Sequence, residues 1–316
     1  MWGSWMQIVK HVGDYPIEGI VFHLYSASFV LVWVVTFILA PKLVPDGVFY
    51  EISQLDPVII LKVMLGGGLM ACGMFLSLTV MSKIGLLLAT ALSGSISSIF
   101  GLAVSIFEEG VPKTDNAIFL MIACILVFIL ASIVCNIASS MRDRDKAEAR
   151  GEKAEKKGKT ITAGVLVLIL LHSFFTTGWS MGTAAGTANG LAPVVTCALM
   201  ATGSFIAAII VGSIMFTVKH EWKDVYCVGK SKKPIILASL ASLCHYGGNI
   251  ISIYSMPVIS ATLSFLFGRT SSVWTYFWGM FYGEFKGSKK KTYVVLTIGI
   301  LLYFAAVGIL GLFKYS

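Results

Sequence analysis

Residues 115–140 read DNAIFLMIACILVFILASIVCNIASS, and residues 141–159, which follow, read MRDRDKAEARGEKAEKKGK. The first stretch has no charged side chain after Asp115 and no alternation of apolar with polar residues. About 20 such residues in a helix, at about 1.5 Å each, cross a hydrocarbon core of about 30 Å. Lipid offers the backbone no partner, so a run without strand alternation has to bond itself as an α-helix. The second stretch is too charged to leave water. Their junction sets the class: an all-α membrane protein with a polar segment near its middle.

Apolar blocks of similar length recur on both sides. Nine full spans are predicted, near 17–40, 57–82, 84–106, 115–140, 161–183, 188–217, 234–256, 257–281 and 292–313, with residues 1–12 as a partial first helix. The stretch 188–217 is long enough to tilt, and 43–55 fits a short interfacial helix. Hydrophobic residues form 57% of the chain and charged ones 13%, against about 45–50% and about 25% in soluble domains. The net charge of +8 lies in short loops between apolar blocks, as expected of segments held on the cytoplasmic side of a bilayer and not of a nucleic-acid binder. Six cysteines are scattered without paired spacing, so they read as small buried side chains rather than as a metal site or a disulfide framework. No cofactor is implied.

A shift of 174 residues sets Gly73 on Gly247, Gly94 on Gly268, Ser97 on Ser271 and Ser98 on Ser272. Each half then reaches an acidic residue, Glu109 and Glu284, one residue out of step, before its last helix. The chain therefore divides into a first five-helix unit at 1–140, a charged linker at 141–160 and a second unit at 161–316. Aligning Gly3 with Gly178 places the start of the first helix some 14 residues before Met1, so that helix reads as truncated. A nine-helix protein with a short amphipathic start is the alternative. Loops after the odd-numbered helices of a ten-helix scheme carry 19 of the 24 Lys and Arg residues. That bias puts the linker in the cytoplasm and the C-terminus outside. Five helices per half then insert the two units with opposite topology, an arrangement recurrent in secondary transporters.

Trp2-Gly3-Ser4, the segment 73–101, and Trp278-Gly279 through Glu284-Phe285-Lys286-Gly287 resemble the drug/metabolite transporter superfamily. Within it, the chain is most similar to the branch of ureide permeases, bacterial glucose/ribose-type porters and the rhamnose–proton symporter. The resemblance implies a ten-helix inverted 5+5 repeat that carries small polar solutes, with a cytoplasmic central linker. It also directs attention to a nucleotide-binding-like motif in that linker. Here Gly151 and Gly158-Lys159-Thr160 have the wrong spacing and no preceding strand, so the segment reads as a solvated linker.

Side chains that cost free energy in lipid mark the candidate site. Arg269 stands near the centre of 257–281, where insertion scales charge Arg about 2.5–3.5 kcal/mol, so it should face the bundle interior. His172 and His245 also lie mid-helix, and Asn249 follows His245 by one turn on the same face. Tyr246, Ser271 and Trp274 complete the predicted substrate-binding set, with Trp179, Ser180 and Ser272 as further donors or walls. Interhelical bonding is the competing role for the two histidines, and packing for the tryptophans. Ser97, Ser98 and the series Gly178, Gly182, Gly186 read as close helix contacts. No Asp or Glu lies deep in any span, so any proton coupling would fall to His172 or His245. Related carriers have an uncharged polar residue near the place of Arg269, and that departure points toward an anionic cargo.

No metal-spaced His/Asp/Glu set and no nucleophile triad marks an enzyme. The expectation is a cell-membrane transporter of a small polar or anionic metabolite working by alternating access. A broad efflux carrier of amphipathic compounds and a neutral sugar or ureide permease remain alternatives, and a passive channel is a third class.

Overall fold

The computed structural model describes residues 1–84, 93, 96, 97, 99, 100, 103, 104, 107, 114–151, 162–259, 264, 267, 268 and 270–313. The span predicted at 84–106 lies largely outside them, as does Arg269. Among the described residues there is no strand, and seven helices are long and apolar enough to cross a membrane, one of them, Ala163–Ala188, interrupted at Thr177. The chain is an all-α, multi-pass membrane protein.

A seven-residue 3-10 helix, Trp5–His11, precedes α1 (Ile17–Leu43) and the short α2 (Val48–Ser53). Then come α3 (Pro57–Ile84), α4 (Asp115–Ala149), α5 (Ala163–Thr176), α6 (Gly178–Ala188) and α7 (Pro193–Lys219). A one-turn α8 (Trp222–Val225), α9 (Lys233–Ile259), α10 (Ser271–Phe281) and α11 (Lys290–Phe313) complete the order.

Three boundaries differ from the sequence expectation. Helix α4 continues past residue 140 to Ala149, so the first part of the charged linker is helical. It leaves the apolar region supported by the Arg144–Glu148 pair one turn apart and by Asp145, which accepts from the Thr292 hydroxyl and the Lys289 amide. The fifth span is broken at Thr177, whose hydroxyl bonds the Phe174 carbonyl at 2.6 Å. Such local bonds compete with the helical ladder. The thirty-residue block at 188–217 begins as a helix only at Pro193. Asn189 ends α6, Gly190 turns with a φ of +73°, and the fixed φ of proline starts α7.

Helix α3 packs on α5, α6 and α7, while α9 packs on α1 and the N-terminal 3-10 helix. Helices α1 and α7 meet centrally, and α4 pairs with α11 apart from that core. Lipid supplies no hydrophobic drive between helices, so close fit has to hold them. Glycines provide it. A Cβ on Gly203 would run into the Met64 carbonyl oxygen, and one on Gly178 would stand 2.5 Å from that of Gly66. Gly182 and Gly186 abut Met200 and Thr196 of α7, as the packing expectation for this series requires.

The basic loops gather at one end. Lys10 and Arg142 both pair with Glu284, and Lys219 pairs with Glu18. The Tyr15 hydroxyl donates to the Val225 carbonyl at 2.8 Å. Cys227, which follows α8, is buried in this layer. A hydrogen bond from Lys230 to Asp224 holds that ammonium above the usual lysine range. At the opposite end, Glu51 accepts from the Ala192 amide.

Candidate functional site

Helix α9 carries three of the predicted residues on adjacent turns. His245 is 6% exposed and Asn249 2%. The His245 ring lies against Trp5 at 5.3 Å, Tyr25 at 5.5 Å and Tyr246 at 5.6 Å, centroid to centroid. Neither of its ring nitrogens has a hydrogen-bond partner among the described residues. The Asn249 Nδ2 and the Trp179 Nε1 are likewise buried and unpartnered. An unmet buried polar atom costs about 1–3 kcal/mol, so several in one layer call for an explanation.

Tyr246 has a different task. It is fully buried, and its hydroxyl meets Ser204 Oγ at 2.8 Å, while that serine donates to the Gly67 carbonyl. It ties α9 to α7 and α3. His172 also turns to a neighbouring helix, with Nδ1 2.7 Å from the Gly73 carbonyl oxygen. Thr176 Oγ1 and Ser97 Oγ, 3.2 Å apart, extend that contact.

Ser271 and Trp274, both predicted, line a cavity of about 230 Å³ together with Trp2, Ser252, Ser264 and Phe267. Ile251, 61% exposed, and Trp274, 56% exposed, bring it to the molecular surface. Its serines bond one another: Ser264 Oγ lies 2.8 Å from Ser252 Oγ and 2.9 Å from Ser255 Oγ. Those bonds hold the end of α9 to the segment that follows. Gly268 and Thr270, the neighbours of Arg269 in sequence, also line the cavity. Among the described lining residues there is no charged side chain.

Sequence reasoning did not place Trp2, Trp5 or Tyr25 in the site. Trp2 Nε1 donates to the His245 carbonyl at 3.0 Å and to Asn249 Oδ1 at 2.8 Å. Its ring stands edge-on to Trp179 at 6.3 Å. The signal was present, because the polar edges of tryptophan and tyrosine need partners when buried. The site thus has a shallow, surface-reaching part and a deep polar layer, with Trp2 between them.

Comparison with protein-family models and with curated proteins finds no match to this chain.

Proposed function

We propose that this protein is a secondary transporter that moves a small polar or anionic metabolite across the membrane by alternating access, and not an enzyme. The observation that carries it is a deep layer beside a surface-reaching cavity, in which both His245 ring nitrogens, Asn249 Nδ2 and Trp179 Nε1 are buried and without a partner among the described residues. Transient occupation by a polar solute meets those atoms, whereas a purely structural layer would meet them permanently.

The helix pairings support two inverted five-helix halves. Exchanging the N-terminal segment with α5–α6, α1 with α7, α3 with α9 and α4 with α11 returns the same main set of packed pairs. The contact of α3 with α7 becomes that of α9 with α1, and α3 on α5–α6 becomes α9 on the N-terminal segment. The break at Thr177 fits the discontinuous helices of such carriers. The resemblance to drug/metabolite transporters points the same way, and the clustered basic loops favour a cytoplasmic location for residues 141–149 and 219–232.

Arg269, whose neighbours in sequence Gly268 and Thr270 line the cavity, favours an anionic cargo. Its guanidinium keeps its charge at neutral pH and pairs a carboxylate or phosphate through two parallel bonds. A second class, amphipathic compounds, is favoured by Met1, Trp2, Phe267 and Trp274 in the cavity wall. Purified protein in proteoliposomes, offered labelled carboxylates, phosphates, neutral polyols and amphipathic cations, separates these. Saturable uptake of an anion that Asn249→Ala reduces is the expected result. Uptake confined to amphipathic cations and indifferent to Asn249 would replace the proposal, and no saturable uptake of any class would remove it.

A further inference from the structure

We infer that the Trp2 side chain is the gate of this site, closing the passage between the cavity and the layer of His245, Asn249 and Trp179. This rests on the binding role proposed for that layer. Trp2 lines the cavity and at the same time touches Asn249 and Trp179, so its indole forms the partition between the two.

The indole occupies a slot made by the absence of side chains. A Cβ on Gly248 would lie 2.6 Å from Trp2 Nε1, and one on Gly268 would overlap Cζ3. The closed position is therefore held by one indole N–H shared between two acceptors and by a glycine-walled groove, not by interlocking side chains. The main chain just beyond is pinned. Trp278 Nε1 donates to Ser4 Oγ at 2.9 Å, and Lys10 pairs with Glu284. With those anchors fixed, opening needs only rotation of the Trp2 side chain about its own bonds.

Rotation would expose a matched set of groups. Asn249 Oδ1, now held by the indole N–H, becomes a free acceptor, and the His245 carbonyl keeps its helical bond and regains a second lone pair. Among the described residues, Asn249 Nδ2 on the same side chain and Trp179 Nε1, whose ring touches the indole, are unused donors. A solute group with a donor next to an acceptor replaces what the indole gives and also satisfies what the indole leaves unmet. That difference favours the open, loaded state only when solute is present.

Thiol labelling of detergent-solubilised protein tests the gate. Cys72 and Cys244, the partly exposed cysteines, are replaced by serine, and His245→Cys is introduced as the reporter because it keeps both acceptors of the indole. A small water-soluble thiol reagent should label it about ten-fold faster when Trp2→Ala is added, the scale of losing a closing interaction of this kind. Ile251→Cys, already exposed in the cavity, should label at one rate with or without Trp2. Equal rates at His245→Cys with Trp2 and with Ala would overturn the gate. If Trp2→Ala unfolds the protein, buried Cys197 will label as well, and Trp2→Phe then decides. It keeps a ring and loses the donor, so labelling faster than with Trp2 supports the gate and an equal rate overturns it. Labelling needs no transport. A gate found in a protein that carries none of the solutes above would stand while the transport role fell.

Discussion

At the scale of single residues, the sequence set Arg269 first and His172 and His245 after it, and it paired His245 with Asn249, one turn on along the same face of α9. The structure puts both in the deep layer with unmet polar atoms. It gives Tyr246 and His172 interhelical bonds instead, a distinction that depends on what stands opposite each side chain and so is not written in the helix itself. Ser271 and Trp274 line the cavity, and Arg269 falls outside the described residues. Asn249→Ala removes one buried bond, and such bonds in membranes average about 0.6 kcal/mol. Folding should barely change, while solute uptake falls about ten-fold or more through loss of a recognition pair. Thermal stability and uptake measured on the same preparation check this. Arg269→Gln should abolish uptake of an anion and leave folded, membrane-inserted protein. Arg269→Lys should restore little, because an ammonium cannot reproduce the planar fork. Uptake of a neutral solute that survives Arg269→Gln would return the preference to a sugar or ureide cargo.

At the scale of elements, the long apolar blocks were legible because span length follows from bilayer thickness. The breaks were not. No proline or composition change marks Thr177, where a hydroxyl takes the carbonyl of Phe174; Thr270 repeats the device with Phe267 at 2.7 Å. The length of α4 beyond residue 140 was equally hidden, since the bonds of Asp145 arise only when α11 is in place. Glycine position separates packing from mere composition. Gly203→Ala forces a methyl into the Met64 backbone, and overpacking of this kind costs about 1–3 kcal/mol. A methyl added at Gly308 would meet no atom within 4 Å, so Gly308→Ala should be neutral or stabilise through better helix propensity, by up to about 1 kcal/mol. Melting temperatures of the two variants in one detergent should move in opposite directions or differ clearly. Equal shifts would mean that α3 and α7 do not approach as described.

At the scale of the molecule, charge bias alone brought the odd-numbered loops to one side, and the structure gathers residues 10–18, 142–149, 219–232 and 282–292 at one end. A reporter active only in the cytoplasm should work when inserted at 148–155 and fail when fused after Ser316. The reverse would invert the assigned orientation. Which helices pack on which could not be read from four matched residues at a shift of 174, because glycines and serines recur in any tightly packed bundle. What such a bundle does follows from whether its site faces one side at a time. Counterflow in proteoliposomes measures that directly: vesicles are loaded with unlabelled solute, diluted, and given a trace of labelled solute outside. An alternating-access carrier must return inward with the external label, so label should rise transiently above its equilibrium level and then decline. Label that only climbs to equilibrium, at a rate indifferent to the internal solute, would contradict the carrier and indicate a passive pore.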